Sequence, residues 1–285
     1  MDIQWYPGHM TKSVRMMEEQ VALVDIIIEL LDARVPRSSN NPDISRLARN
    51  RKRILVLNKA DLADPVVTES WARYFSKQGC SVITVDALSG KGLGRISGIC
   101  LELTAEKTER EKRRGRIFTP VRAMVAGIPN VGKSTLINRY VGKSPAKTGD
   151  KPGITRGRQW IRLKRGFELL DTPGILWPKL HDPEIGVNLA LTGAINDNIT
   201  EPVELGCSLI KKLSKLYPCS LVKRYGVNPD GDPSSILNMV AQTRGYEKKA
   251  GEVDLERAAS AIINDFRAGR LGRISLESPE RTHDG

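Results

Sequence analysis

A chain of 285 residues can bury a substantial core, and its length suits two of them. Hydrophobic residues make up 40% of it, in the globular range, and its formal charge is +12, from 45 Lys and Arg against 33 Asp and Glu. That excess points to a polyanionic partner, most simply nucleic acid, with plain solubility as the other reading. Cys80, Cys100, Cys207 and Cys219 are scattered without a close metal-ligand pair, so neither a disulfide framework nor a cysteine metal site is expected. The start has no basic region followed by an apolar core, so no signal peptide is expected.

Residues 10 to 24 place Met10, Val14, Met17, Val21 and Val24 at helical spacing and predict an amphipathic helix. Asp25 to Leu31 is nearly all apolar, like a parallel strand buried on both faces, and is far too short to cross a membrane. It runs into Asp32-Ala33-Arg34-Val35-Pro36. Arg53 to Leu57 is a second such strand, delivering Asn58-Lys59-Ala60-Asp61 into a loop. A helix over about 66 to 78 follows, then a strand from Ser81 to Val85 and a loop, Asp86-Ala87-Leu88-Ser89-Gly90-Lys91-Gly92. One helix is expected from about 93 to 113, with Gly115 as its stop. Arg122 to Ala126 is a fourth strand. Gln159 to Leu163 and Phe167 to Leu170 are two more, joined by a hairpin around Arg165-Gly166, and the second ends in Asp171-Thr172-Pro173-Gly174.

This alternation predicts an α/β fold with a mostly parallel sheet covered on both faces and ligands at the strand carboxyl ends. After about Trp177 no strong strand remains, and a small all-α domain is expected, dividing the chain into 1–177 and 178–285. One helix carries Leu205, Leu209, Leu213 and Leu216 on one face. Asp232-Pro233 starts another, and Asp254 caps a last one with Ala258, Ala259, Ile262, Ile263 and Phe266, stopped by Gly269. The tail from about Ser278 is polar and expected to be mobile.

Gly127-Ile128-Pro129-Asn130-Val131-Gly132-Lys133-Ser134 matches GxxxxGKS between an apolar strand and a helix pattern, the setting a phosphate loop requires. Backbone N–H groups along Asn130, Val131, Gly132, Lys133, Ser134 and Thr135 would cradle phosphate at the helix N-terminus. Lys133 would reach the β and γ phosphates, and Ser134 would ligate Mg²⁺. The loop alone does not separate ATP from GTP. Asn58-Lys59-Ala60-Asp61 does: it resembles the NKxD box of GTPases, in which Asp61 accepts from guanine N1–H and the 2-amino group. Adenine offers no such pair, and an unsatisfied carboxylate there costs about 1–3 kcal/mol or more. Asn58 would brace the loops and the stem of Lys59 would cover the base. Asp171-Thr172-Pro173-Gly174 resembles the DxxG box, with Asp171 on Mg²⁺ through water and the Gly174 N–H sensing the γ-phosphate. Thr155 matches the switch I threonine that closes over Mg²⁺. Asp86-Ala87 stands where a Ser-Ala box usually sits. The Ala87 N–H could face guanine O6, and the role of the Asp86 side chain is open.

The order of these motifs is inverted, because the guanine-reading box precedes the phosphate loop. In that arrangement the chain resembles the circularly permuted ribosome-assembly GTPases of the YlqF type. Trp5-Tyr6-Pro7-Gly8-His9-Met10-Thr11-Lys12 matches the family's amino-terminal signature, and Asp32-Ala33-Arg34-Val35-Pro36 with Ser39 and Asn40 its first strand end. Ala258 to Glu277, including Asp265-Phe266-Arg267-Ala268-Gly269 and Leu271-Gly272-Arg273, matches its closing segment. The resemblance implies a permuted P-loop GTPase domain followed by an RNA-contacting helical module. It also implies GTP hydrolysis coupled to late maturation of the large ribosomal subunit, with GTP or GDP and Mg²⁺ as ligands.

Ile175 follows the DxxG box where a small GTPase such as Ras has glutamine, so water must be oriented from elsewhere. The resemblance implies His9 for that task, with Lys133 and Gly174 at the γ-phosphate. It also implies that Asn130 helps to ligate K⁺. Positive residues from Lys143 to Arg165, facing only Asp150, and a second group of Lys211, Lys212, Lys215, Lys223 and Arg224 are candidate contacts to rRNA. A cytoplasmic, monomeric protein with the large-subunit precursor as partner and no membrane is expected. The competing readings are a largely non-catalytic GTP-dependent RNA-binding placeholder and a GTPase acting on the small subunit or on tRNA.

Overall fold

Six strands form a single sheet in the order β3-β2-β1-β4-β6-β5, namely β1 (Ile26–Asp32), β2 (Lys52–Asn58), β3 (Ser81–Thr84), β4 (Val121–Gly127), β5 (Gln159–Leu163) and β6 (Phe167–Asp171). The computed structural model describes residues 18–48, 51–115, 120–141, 159–163, 167–171, 182–196, 201–249 and 251–279, with the backbone alone for Val141, Gln159, Arg162, Leu163 and Asp171. β1 lies at the centre, parallel to both β2 and β4, with Ile28 in register with Ile54 and Val125. β5 alone runs antiparallel, paired to β6 with Ile161 opposite Leu169. The chain builds outward from β1 to β3, returns to β4, and builds the other half. The strand order therefore reverses between β1 and β4, and the crevice beyond their carboxyl ends is where such sheets take ligands.

The helices are α1 (Pro36–Ser39), α2 (Pro42–Leu47), α3 (Pro65–Lys77), α4 (Gly94–Leu103), α5 (Ala105–Arg113), α6 (Lys133–Val141), α7 (Pro183–Leu191), α8 (Pro202–Leu216), α9 (Pro218–Tyr225), α10 (Pro233–Thr243) and α11 (Leu255–Arg267). All seven residues of β1 are buried, as expected of a parallel strand with both faces covered. Its alternating side chains feed different cores. Ile26, Ile28 and Leu30 join Ile96, Cys100, Leu136 and Ile137, whereas Leu31 meets Leu55, Leu57, Trp71 and Phe75. The acid in the middle of this strand, Glu29, is fully buried and paired to Arg53 at 2.5 Å. Burial pushes its carboxyl up to about 7, against the opposing pull of Arg53.

Where one helix over 93–113 was expected, two are found, divided at Thr104. The Thr104 hydroxyl donates to the Cys100 carbonyl at 2.7 Å, a back-bond that competes with the helical ladder. Of the helix expected over 10–24, the described part is helical at residues 18–21. In the helical region α8 is central, burying Leu205, Leu209 and Leu213 against Ala258, Ala259 and Ile262 of α11. Asp232 and Asp254 cap α10 and α11 as their sequences predict. After α11 the chain turns back onto the α/β part. The Ile274 N–H donates to the Leu62 carbonyl and the Leu276 N–H to the Arg34 carbonyl, each at 2.9 Å. The Trp71 indole donates to the Glu277 carbonyl at 3.1 Å. Packing continues to the buried Pro279, beyond the Ser278 boundary expected for a mobile tail.

Candidate functional site

Three loops meet beyond the carboxyl ends of β2, β3 and β4, and one side chain joins them. Asn58, 2% exposed at the end of β2, donates from Nδ2 to the Val131 carbonyl at 2.8 Å. Its Oδ1 accepts from the Ala87 N–H at 3.0 Å. The amide thus ties the loop before α6 to the loop after β3, using both halves of its donor–acceptor capacity. The approach is close enough to demand glycine. Gly132 has φ +105, and a Cβ there would lie 2.3 Å from Asn58 Nδ2.

The loop from Gly127 wraps onto the start of α6. Lys133 is buried, and its Nζ donates to the Ile128 carbonyl at 2.8 Å and the Gly127 carbonyl at 3.1 Å. Ser134 and Thr135 are half-buried in the first turn of α6, where backbone N–H groups have no intrahelical acceptor and favour anions. Asn130 takes a positive φ of 56 and is exposed, and its Nδ2 donates to the Gly193 carbonyl just beyond α7 at 2.7 Å. The far end of α6 supports the neighbouring loop. Arg139 Nη2 donates to the Ser89 carbonyl at 2.7 Å and the Tyr140 hydroxyl to the Leu93 carbonyl at 2.5 Å.

Asp86 shapes that neighbouring loop. Its Oδ1 accepts from the N–H groups of Leu88 at 2.9 Å and Ser89 at 3.1 Å. Slight burial acts to raise this carboxyl, and the hydrogen bonds from Ser89 and Leu88 outweigh it and lower it. The side chain whose role the sequence leaves open therefore holds the turn that presents Ala87.

Lys59 also takes a positive φ, 59, an uncommon backbone for a residue with a side chain. Its Nζ pairs with Asp32 at 3.0 Å. Asp32 is in turn held by Arg34 through Nε at 3.0 Å and Nη2 at 2.9 Å, with Asp32 and Arg34 each 1% exposed. Burial acts to raise the Asp32 carboxyl, and Arg34 and Lys59 together hold it well below the usual range. Burial depresses the Lys59 ammonium. Asp61, two residues on, is exposed beside this buried charge group. His9, Thr155 and Gly174 lie outside the described residues, as does the side chain of Asp171.

The sequence pattern did not point to Arg34, Gly193, Arg267 and Arg273 as neighbours of this site. Arg34 lies over the Phe266 ring at 5.0 Å, and its Nη1 donates to the Arg267 carbonyl at 3.4 Å. Arg267 Nη2 donates to the Ala190 carbonyl at 2.8 Å and its Nε to the Leu191 carbonyl at 3.0 Å. Arg34, Arg267 and Arg273 stood inside recognisable segments, but the contacts that join these segments run to carbonyls far along the chain, which no local pattern encodes.

Sheet order, phosphate loop and motif placement together define a P-loop GTPase in circularly permuted order. Residues 122–215 match the family described as 50S ribosome-binding GTPase, a stretch that starts at β4 and leaves the Asn58 loop upstream. A ribosome biogenesis GTPase A of Bacillus cereus is 42% identical over 98% of this chain and 95% of its own length. One from Thermotoga maritima is 33% identical over the same shares, 98% and 95%. The crystal structure of GNP-bound YlqF from Thermotoga maritima superposes with a TM-score of 0.68 at 28% identity, covering 94% of this chain and 99% of that one. The chain belongs to the ribosome biogenesis GTPase A family.

Proposed function

We infer that this protein binds the large ribosomal subunit precursor and its rRNA and couples GTP hydrolysis to late assembly of that subunit. Its relatives are named for ribosome biogenesis, over nearly their whole length and that of this chain. The observation that carries the nucleotide reading is the Asn58 amide, bonded at once to Val131 in the phosphate loop and to Ala87. It makes the base-reading and phosphate-holding loops one unit.

In this reading Asp61 accepts from guanine N1–H and the 2-amino group, the Lys59 stem flanks the base, and the Ala87 N–H faces O6. The backbone from Asn130 to Thr135 holds the phosphates, and Lys133 turns from the Gly127 and Ile128 carbonyls to the β and γ phosphates. Ser134, Thr155 and Asp171 are hard oxygen donors, the set that Mg²⁺ prefers, and they would hold it. When bound, Mg²⁺ supplies positive charge to the transferring phosphoryl group. The Asn130 nitrogen is committed to Gly193, which leaves its oxygen as the group able to meet K⁺. The Gly174 N–H senses the γ-phosphate, and His9 orients the attacking water in place of the glutamine absent at position 175.

The phosphate-bearing partner would be met by the positive stretch around Thr155 and by Lys211, Lys212, Lys215, Lys223 and Arg224. We place the boundary between GTPase and RNA-facing helical domains at 177/178. The protein acts as a cytoplasmic monomer, and among the described residues no helix is long and apolar enough to cross a membrane. The reading predicts slow turnover by the free protein. His9→Ala should remove most of the subunit-stimulated rate and leave GTP affinity nearly unchanged, as read by single-turnover hydrolysis beside equilibrium binding. Loss of affinity instead would remove His9 from the chemistry. Turnover in K⁺ should exceed that in Na⁺, and equal rates would dismiss the Asn130 cation site.

A further inference from the structure

The closing segment after α11 carries a recognisable motif, Leu271-Gly272-Arg273, to which the GTPase reading gives no task. In the structure it lies along the loop that follows β2. Arg273 Nη2 donates to the Ala60 carbonyl at 2.7 Å, and its Nε to the Ala63 carbonyl at 2.8 Å. The Ile274 N–H donates to the Leu62 carbonyl at 2.9 Å. The Asp64 N–H donates to Ser275 Oγ at 3.1 Å, and Gly269 approaches so closely that a Cβ would lie 2.7 Å from Leu62 Cδ2.

Other backbone bonds also support the loop. The Leu62 N–H reaches the Lys59 carbonyl at 3.0 Å, and the Ala60 N–H the Val85 carbonyl at 3.2 Å. Lys59 holds a left-handed φ of 59, a conformation that persists where surroundings over-determine it. Asp61 stands between Ala60 and Leu62, whose carbonyls are fixed from outside, so its direction is set by the segment that fixes them.

We propose that the closing segment is the positioning device for guanine recognition, with Arg273 the positioning residue through which the Asp61 carboxylate is aimed at the base. This rests on the reading of Asp61 given above. The planar guanidinium suits the task because two of its N–H groups reach two carbonyls of one loop, and an ammonium has no such fork. Arg273 is itself exposed, so its loss removes the brace without opening a core. By linkage, whatever holds the helical region in one arrangement also changes guanine affinity.

The test compares affinities for GDP and IDP, which lacks the 2-amino group, by calorimetry on the full chain. Thermal unfolding of the nucleotide-free protein serves as the folding control. Arg273→Ala should lower the GDP:IDP affinity ratio about tenfold, the worth of one well-made hydrogen bond to a charged group. Arg273→Lys should fall between it and the parent. Asp61→Ala should abolish the preference, and adding Arg273→Ala to it should change the ratio no further. If Asp61→Ala abolishes the preference but Arg273→Ala lowers both affinities equally or neither, the proposal is wrong and the Asp61 reading stands. If Asp61→Ala leaves the preference intact, the base reading itself fails, and the proposal with it.

Discussion

The two ends of the cleft are held in place by different parts of the chain. At the phosphate end almost every support is near in sequence or belongs to one neighbouring strand end: Lys133 on Gly127 and Ile128, and Asn58 on Val131. At the base end the supports come from the far terminus, with Arg273 on Ala60 and Ala63, and Arg34 reaching Phe266 and Arg267. Phosphate binding is a property of a strand, a loop and a helix start. The loop proposed to read the base is held by a segment that the chain delivers only after building an entire helical region. Permutation suits this division, since it leaves the helical region and closing segment downstream of the phosphate half and free to return to the base half.

That contrast can be broken most forcefully at Gly132. Gly132→Ala sets a methyl against Asn58 Nδ2 at a backbone angle of +105. It should cost roughly 2–4 kcal/mol in nucleotide binding through lost loop geometry and the lost Asn58 bond. GDP and IDP should suffer alike, which calorimetry can read. Arg34→Met attacks the base end. It leaves Asp32 buried with Lys59 as its remaining ion-pair partner and should destabilise the fold by about 3–5 kcal/mol in chemical denaturation. Its effect on binding should fall on guanine preference ahead of phosphate affinity. Asn130→Ala is a milder probe of the phosphate end. It removes one exposed bond to Gly193, about 1 kcal/mol of stability, and should abolish any difference between K⁺ and Na⁺ in turnover.

The smallest expected effect on nucleotide binding lies beneath both ends. Glu29 has a carboxyl raised to about 7 from 4.5. A raised acid stabilises the fold below its unfolded value and loses that contribution as pH rises through the folded one. Stability should therefore decline between pH 4.5 and 7 by up to about 3 kcal/mol from this group, and Glu29→Gln should flatten that decline in urea titrations. GDP:IDP preference should not move, because Glu29 touches neither loop.

The same division explains what the sequence made legible. The phosphate loop, the strands around it and the Asn58 box are contiguous patterns, and their spacing and flanks suffice to find them. Strand β1 was legible because burial on both faces writes a continuous apolar run, and for the same reason Glu29 passed as an interruption of little account. The break at Thr104 was invisible to periodicity, since the charged stretch Ala105–Arg113 has almost no apolar positions to carry a period and the decisive bond is a hydroxyl to Cys100. Asp86 could be named but not assigned, because its role is a turn made with the two residues following Ala87. Arg273 sat in a known motif without a partner, and its partners are backbone carbonyls in another part of the chain. Backbone acceptors carry no residue signature, so contacts of this kind become readable only in three dimensions.

The central claim is that this GTPase works on the large subunit. Its most direct test is GTP turnover by the full chain in K⁺, measured alone, with isolated large subunits and with isolated small subunits. The account predicts slow turnover alone, stimulation by large subunits on the order of 10³-fold, and none by small ones. Equal stimulation by both subunits, or tight large-subunit binding with no stimulation, would contradict it.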